Sequence, residues 1–157
     1  MLRVGDVMST AVETVKAGES AEKAYSRMRE QEFHHLVVVD DGGVVGVISE
    51  RDLGGRGGAA LRRDRVVDDL MTSRVVTAKP DSTLREAAKL LRGRTVGCLP
   101  VLDGSKLVGI LTLSDVLDTI IRGVERPTPM GRRRSLRTEL GRWKGAPATK
   151  SPRKRSG

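Results

Sequence analysis

Shifted by 63 residues against itself, the sequence aligns residues 8–52 with 71–115 without a gap. Twelve of the 45 paired positions are identical, among them Met8/Met71, Thr14/Thr77, Leu36/Leu99, Gly46/Gly109 and Asp52/Asp115. Others exchange like for like, as in Ile48/Leu111 and Ser49/Thr112. A register held without gaps through two turns and a helix marks a duplication. The chain therefore repeats one small fold rather than building one large one. At roughly 60 residues a single copy buries too little surface to stand alone, so the two are expected to pack on each other about a pseudo-twofold axis.

Each copy reads in the same order. A short strand (12–15; 75–78) leads through a polar turn to a helix opened by Ser20 or Ser82. Ala21, Ala24, Tyr25 and Met28 then recur at helical spacing, as do Leu84, Ala87, Ala88 and Leu91. Two apolar runs follow, 36–39 with 44–48 and 99–102 with 107–111. Four polar residues rich in Asp and Gly join each pair, which predicts hairpins. Ser49 and Thr112 cap a final short helix. The fold class is α/β (α+β), β-α-β-β-α twice over. The boundaries are a first repeat at 1–56, a Gly/Arg-rich connector at 57–65, a second repeat at 66–121 and a tail at 122–157. Four glycines between 54 and 65 suggest a flexible turn, and without a Gly-Lys-Ser/Thr ending this stretch is no P-loop.

The charge divides at the same place as the fold. The formal +9 of the 157 residues is a net −1 over 1–121 and a net +10 over 122–157. Three aromatics, Tyr25, Phe33 and Trp143, are too few for a base-stacking surface. The single Cys98 excludes an internal disulfide framework and a Cys-rich zinc module, and it reads as a small core residue. No run approaches the ~20 apolar residues of a membrane span, and the opening residues lack a signal peptide's apolar core. A cytoplasmic location is the expectation. His34 and His35 are adjacent, so on a strand they point to opposite faces and do not grip one metal ion. No catalytic set is legible, so the chain is not read as an enzyme.

The chemistry concentrates where each copy ends, at Gly46-Val47-Ile48-Ser49-Glu50-Arg51-Asp52 and Gly109-Ile110-Leu111-Thr112-Leu113-Ser114-Asp115. Gly in a strand lets another group approach the backbone. A hydroxyl at a helix N-terminus suits a phosphate, and a carboxylate one turn on can hold both hydroxyls of a ribose. The same spacing also resembles a helix capping box, although such boxes prefer Glu or Gln where both copies keep Asp. The residues alone leave the two readings balanced.

The Met-Ser/Thr opening, the Val-x-Thr strand, the strand Leu99-Pro100-Val101-Leu102-Asp103 and the closing Gly-h-h-Ser/Thr-x-x-Asp (h, an apolar residue) resemble cystathionine β-synthase (CBS) domains. Their tandem arrangement is similar to the CBS pair, or Bateman module, over residues 1–121. That resemblance implies a regulatory module that binds adenosine-type ligands in clefts between its motifs. It implies one cleft from Asp115, Thr112 and Ile110 with Thr14, Phe33 and His34. The other would take Asp52, Ser49 and Val47 with Thr77, Val96 and Gly97. With so few aromatics, adenine would lie between aliphatic side chains and be recognised by backbone groups. Arg51 is placed to meet a phosphate where copy two has Ser114. His34 and Val37 stand where the family usually has a small residue and Pro. Both points favour the Asp52 set for a charged ligand. The ligands implied are AMP, ADP or ATP, with S-adenosylmethionine or a cyclic dinucleotide as alternatives, and no resident cofactor. A homodimer through the CBS pairs is implied as well.

The tail, 122–157, has too few apolar and too many charged residues to fold alone, and disorder is expected. Arg132, Arg133 and Arg134 and then Arg153, Lys154 and Arg155 form two basic clusters suited to nucleic acid or another polyanion. The alternative reading is thus a nucleic-acid-associated protein whose CBS pair is a dimerisation scaffold. Leu136, Leu140 and Trp143 fall at i, i+4 and i+7, the pattern of a short amphipathic helix formed on contact with a partner.

Overall fold

The computed structural model describes residues 1–94 and 97–123. Both predicted hairpins form. β2 (His35–Asp40) pairs antiparallel with β3 (Gly43–Ser49), and later β4 (Cys98–Asp103) pairs with β5 (Lys106–Thr112). Asp41 and Gly42 both take positive φ (49° and 78°), the signature of the tight turn whose twist suits a hairpin. Gly104 (φ 67°) does this work in copy two. The strand register shifts at Val38/Val39 and at Val101/Leu102, so the duplication has kept the same bulge.

In copy one, β1 (Thr14–Lys16) adds a parallel strand to β2, giving the order β1-β2-β3. The Val37 N–H donates to the Glu13 carbonyl (3.1 Å) and the Ala17 N–H to Val39 (3.2 Å). In copy two the expected strand at 75–78 shrinks to one bridge between Ala78 and Val101. The reason is Pro100. It occupies the position of Val37 and has no N–H to give.

The long helices are α2 (Ala21–Gln31) and α5 (Leu84–Arg94), with short α1 (Val4–Val7), α3 (Ala59–Arg62) and α4 (Val67–Leu70), and α6 (Leu113–Ile121) at the end. Ser20 caps α2, accepting from the Lys23 N–H (3.2 Å). The cap of α5 is Thr83, not the expected Ser82. Thr83 Oγ1 accepts from the Glu86 N–H (3.1 Å), while Glu86 Oε2 accepts from the Thr83 N–H (2.9 Å). Ser82 instead closes the preceding turn, its N–H donating to Lys79. Copy one also lacks the expected final helix. After Ser49 the chain makes one turn and breaks at Gly54 and Gly55, both at positive φ (85° and 61°).

Two compact units result, and they cut across the linear repeat. Among the described residues, Met1–Val12 join those from Val75 to Gly123, while Glu13–Arg74 form the other unit. The short lead-in helix before each copy is thus docked on the other copy's elements. The Val4 and Gly5 N–H groups donate to Ser82 and Pro80 (both 2.8 Å). Their counterparts Val67 and Asp68 donate to Glu19 and Ala17 (2.8 and 2.9 Å). Asp6 and Asp69 start these helices alike, accepting from the Arg3 and Val66 N–H groups. In the first unit Val4, Val7, Met8, Ala87, Leu91, Leu99, Val101, Leu111 and Val116 form an apolar core.

The connector is held rather than loose. Arg62 is only 3% exposed. It donates from Nη1 to the carbonyls of Leu53 (2.7 Å) and Gly55 (2.8 Å), and from Nε to Glu22 (2.9 Å). Its guanidinium lies 3.7 Å from the centre of the Tyr25 ring. Among the described residues, no helix is long and apolar enough to cross a membrane.

Candidate functional site

The capping reading of the closing motif is realised in both copies. The Ser49 N–H donates to Asp52 Oδ2 (2.9 Å) and the Asp52 N–H to Ser49 Oγ (3.0 Å). Thr112 and Asp115 exchange the same pair of bonds (2.8 and 3.2 Å). Each cap uses one carboxylate oxygen, Oδ2. Asp115 is 5% exposed and opens α6, whereas half-buried Asp52 sits on the short turn beside exposed Arg51.

Gly46 and Gly109 do admit a close neighbour, and it is the chain itself. A Cβ on Gly46 would stand 2.7 Å from both Met71 Sδ and the Thr72 carbonyl oxygen. On Gly109 it would meet Met8 Sδ and, at 3.0 Å, the Ser9 carbonyl oxygen. The lead-in segments lie along β3 and β5 there. Val47 and Thr72 exchange N–H···O bonds (3.1 and 2.9 Å), as do Ile110 and Ser9 (both 2.9 Å). The N–H groups of Val47 and Ile110 are thereby spent within the fold.

Thr14 lies buried on β1, and its Oγ1 has no hydrogen-bond partner among the described residues. A buried hydroxyl left unpaired is costly and calls for a partner. Its carbonyl is held by Arg27 Nη2 (2.7 Å), which also donates to Glu13 Oε2 (2.7 Å). Glu19 lies 3.7 Å from the same guanidinium. Burial pushes the Glu19 carboxyl above its usual value, and Arg27, Lys23 and Lys16 pull it back only in part. Arg27 escaped the sequence reading. Its signal was there in the repeat, since copy two has Leu90 for Arg27 and Val76 for Glu13, a paired exchange of ion pair for apolar pair.

Phe33 is buried just after Glu32, which ends α2 in the left-handed conformation (φ 60°). The side chain of His34 is 72% exposed and pairs through Nδ1 with Glu50 Oε1 (3.0 Å), while the Glu50 N–H donates to the His34 carbonyl (3.0 Å). His34 is thus brought beside the Ser49–Asp52 turn of its own copy. Gly97 makes the equivalent backbone bond, accepting from the Leu113 N–H (3.2 Å). Thr77 is exposed, unlike Thr14. Val96 and the basic clusters Arg132–Arg134 and Arg153–Arg155 lie outside the described residues.

Comparison with known proteins adds what geometry alone leaves open. The CBS domain pattern matches residues 4–53 and again 67–122. The chain belongs to the CBS domain family. The CBS domain-containing protein YhcV of Bacillus subtilis is 31% identical over 117 residues, covering 74% of this chain and 84% of that protein. Homoserine O-acetyltransferase of Methanohalobium evestigatum is 33% identical over 115 residues, 72% of this chain, but the chain spans only 23% of its length. The likeness to that enzyme is therefore confined to a small part of it. Among solved structures, CBSX2 from Arabidopsis thaliana in complex with AMP is 31% identical. It has a TM-score of 0.66 over 78% of this chain and 98% of that one. The CBS pair of MJ0100, in complex with 5-methylthioadenosine and S-adenosyl-L-methionine, is 25% identical. Its TM-score is 0.69, over 78% of this chain and 98% of that one.

Proposed function

We propose that this CBS pair binds an adenosine-type nucleotide and changes its conformation or its partner binding in response. The observation that carries the reading is the match, along nearly their whole length, to CBS pairs solved with AMP or with S-adenosylmethionine. Asp52 and Asp115 are the ribose ligands in this reading, and Ser49 and Thr112 sit beside them. Thr14 supports it with a buried hydroxyl that awaits a partner, and Arg51 supplies a cation for phosphate. Val47, Ile110, Phe33, His34, Thr77, Val96 and Gly97 complete the lining. Binding shifts a population between two arrangements, because a ligand that favours one state draws the protein toward it.

Titration calorimetry and thermal melting of the full chain with AMP, ADP, ATP and S-adenosylmethionine test the reading. At a hundredfold its dissociation constant, a ligand adds about 2.7 kcal/mol of stability. Asp52→Ala and Asp115→Ala each cost about 1 kcal/mol of stability through the lost cap and melt lower accordingly. If the carboxylates also hold ribose, the ligand-induced gain disappears in the variants. A gain that persists in both, or no heat with any of the four compounds, overturns the reading.

A second reading is favoured by the segregation of charge, with +10 confined to residues 122–157. There Arg132–Arg134 and Arg153–Arg155 bind a polyanion such as nucleic acid, and affinity falls steeply with salt. A gel shift of the full chain on DNA at low salt, unchanged when these six become Ala, rejects it.

A further inference from the structure

Copy one closes its motif on a single turn, and side chains finish that turn at both ends. At its start Ser49 and Asp52 cap each other (2.9 and 3.0 Å). Inside it the Leu53 N–H donates to Ser49 (3.2 Å) and the Gly54 N–H to Arg51 (2.9 Å). A helical turn leaves its last carbonyls without a donor of its own. Here Arg62, at the end of α3, reaches back and donates from Nη1 to the carbonyls of Leu53 (2.7 Å) and Gly55 (2.8 Å). A cation at that end also suits the dipole of the turn. Asp52 and exposed Arg51 lie between the two caps. Copy two has another solution, because after Thr112 the same motif runs on into nine-residue α6, whose own ladder holds Asp115.

Arg62 is in turn fixed by α2. Its Nε donates to Glu22 (2.9 Å), and its guanidinium lies 3.7 Å from the centre of the buried Tyr25 ring. Only a planar fork can stack on a ring with one face and donate from its edges at the same time. The approach of α3 is equally specific. A Cβ on Gly58 would stand 2.6 Å from the Leu53 carbonyl oxygen, one of the two that Arg62 grips.

We propose, on the reading of Asp52 as a ribose ligand, that Arg62 is the positioning residue of the nucleotide site in copy one. It touches no ligand itself. Through the Leu53 and Gly55 carbonyls it sets the turn that presents Asp52 and Arg51, and through Tyr25 and Glu22 it ties that turn to α2. The connector is thereby part of the site, and a change of conformation at the turn is passed to α2 through one guanidinium.

Amide hydrogen exchange and AMP titration of the full chain, below the melting range of every variant, separate positioning from plain stability. In Arg62→Ala exchange over residues 50–57 rises about tenfold or more, while 36–39 and 99–102 keep the parent's rates. AMP binds about fivefold or more weakly. Arg62→Lys, which keeps the charge and loses the fork, shows both effects to a smaller extent and decides the matter if Arg62→Ala does not fold. Thr83→Ala, destabilised at the cap of α5, moves neither reading. A parent that takes up no AMP overturns the assignment of the site itself, and the positioning role with it. A parent that binds AMP while the folded Arg62 variants bind it within about twofold overturns the positioning role alone. Unchanged exchange over 50–57 in those variants overturns it as well.

Discussion

Arg62 is the most demanding test of how the connector is built. Arg62→Ala strips a charged donor from two carbonyls, Leu53 at 2.7 Å and Gly55 at 2.8 Å, and removes the guanidinium stacked 3.7 Å from the Tyr25 ring centre. Hydrogen bonds from charged groups contribute about 1.5–3 kcal/mol each, and a desolvated cation–π contact about 2 kcal/mol. The bond to Glu22 adds little, because that carboxylate is half exposed and water replaces the partner. These terms share one side chain and do not add, so the expected loss is the about 3–5 kcal/mol typical of a buried charge network broken on one side. At about 2 °C or more per kcal/mol, the melting point falls by at least about 6 °C. Arg62→Lys keeps the charge but not the planar fork, and loses an intermediate amount. Exposed Arg63→Ala is the control, expected within about 0.5 kcal/mol of the parent. Urea unfolding followed by circular dichroism measures all three. A loss under about 1 kcal/mol for Arg62→Ala, or Arg62→Lys equal to the parent, refutes the reasoning.

Gly46→Ala drives a methyl into the Thr72 carbonyl and is expected to cost about 1–3 kcal/mol, whereas Gly18→Ala meets nothing within 4 Å and melts close to the parent. Thr83→Ala removes the cap of α5 and costs about 1 kcal/mol in the same melts, while Ser82→Ala costs less than half of that. Burial raises the Glu19 carboxyl, so its contribution to stability is full below the ordinary value of 4.5 and is lost as pH rises through the folded value. Glu19→Gln is therefore more stable than the parent at pH 7 and the gap closes toward acid; a gap of constant size across that range contradicts the assignment.

The hairpins and both long helices were legible because short-range chemistry decides them: Asp-Gly or Gly-Ser at the turns, helical spacing in between. The misplaced cap at Ser82 was avoidable, since the 63-residue register maps Ser20 onto Thr83. Loss of the strand at 75–78 was only half legible. Pro100 is visible in the sequence, but its missing N–H matters only once the pairing with the first strand is known. The break after Ser49 likewise depends on Gly54 and Gly55 adopting left-handed φ, which glycine permits without requiring it. Buried Arg27 and Arg62 were not legible, because arginine stays outside unless paired and their partners Glu13 and Glu22 are brought to them only by the fold. The docking of each lead-in helix on the opposite copy could not be read at all. Self-alignment shows which residues are equivalent and says nothing of which copy they join.

The two copies have kept one backbone solution and diverged in how they place charge around it. Copy two closes its motif with Thr112 at the start of a nine-residue helix, so the helix dipole supplies positive potential beside Asp115. Copy one has no helix there, and the cation beside Asp52 is a side chain, Arg51. The interior shows the same division. The unit built on copy two has a core of aliphatic residues, while copy one replaces Val76 and Leu90 with Glu13 and Arg27, a pair 2.7 Å apart. A buried ion pair gives little net stability over an apolar pair of similar volume. What it gives here is position: Arg27 clamps the Thr14 carbonyl and fixes the strand that carries the unpaired hydroxyl. Copy one has thus exchanged one apolar pair for a strand held by charge, next to a buried hydroxyl with no partner among the described residues.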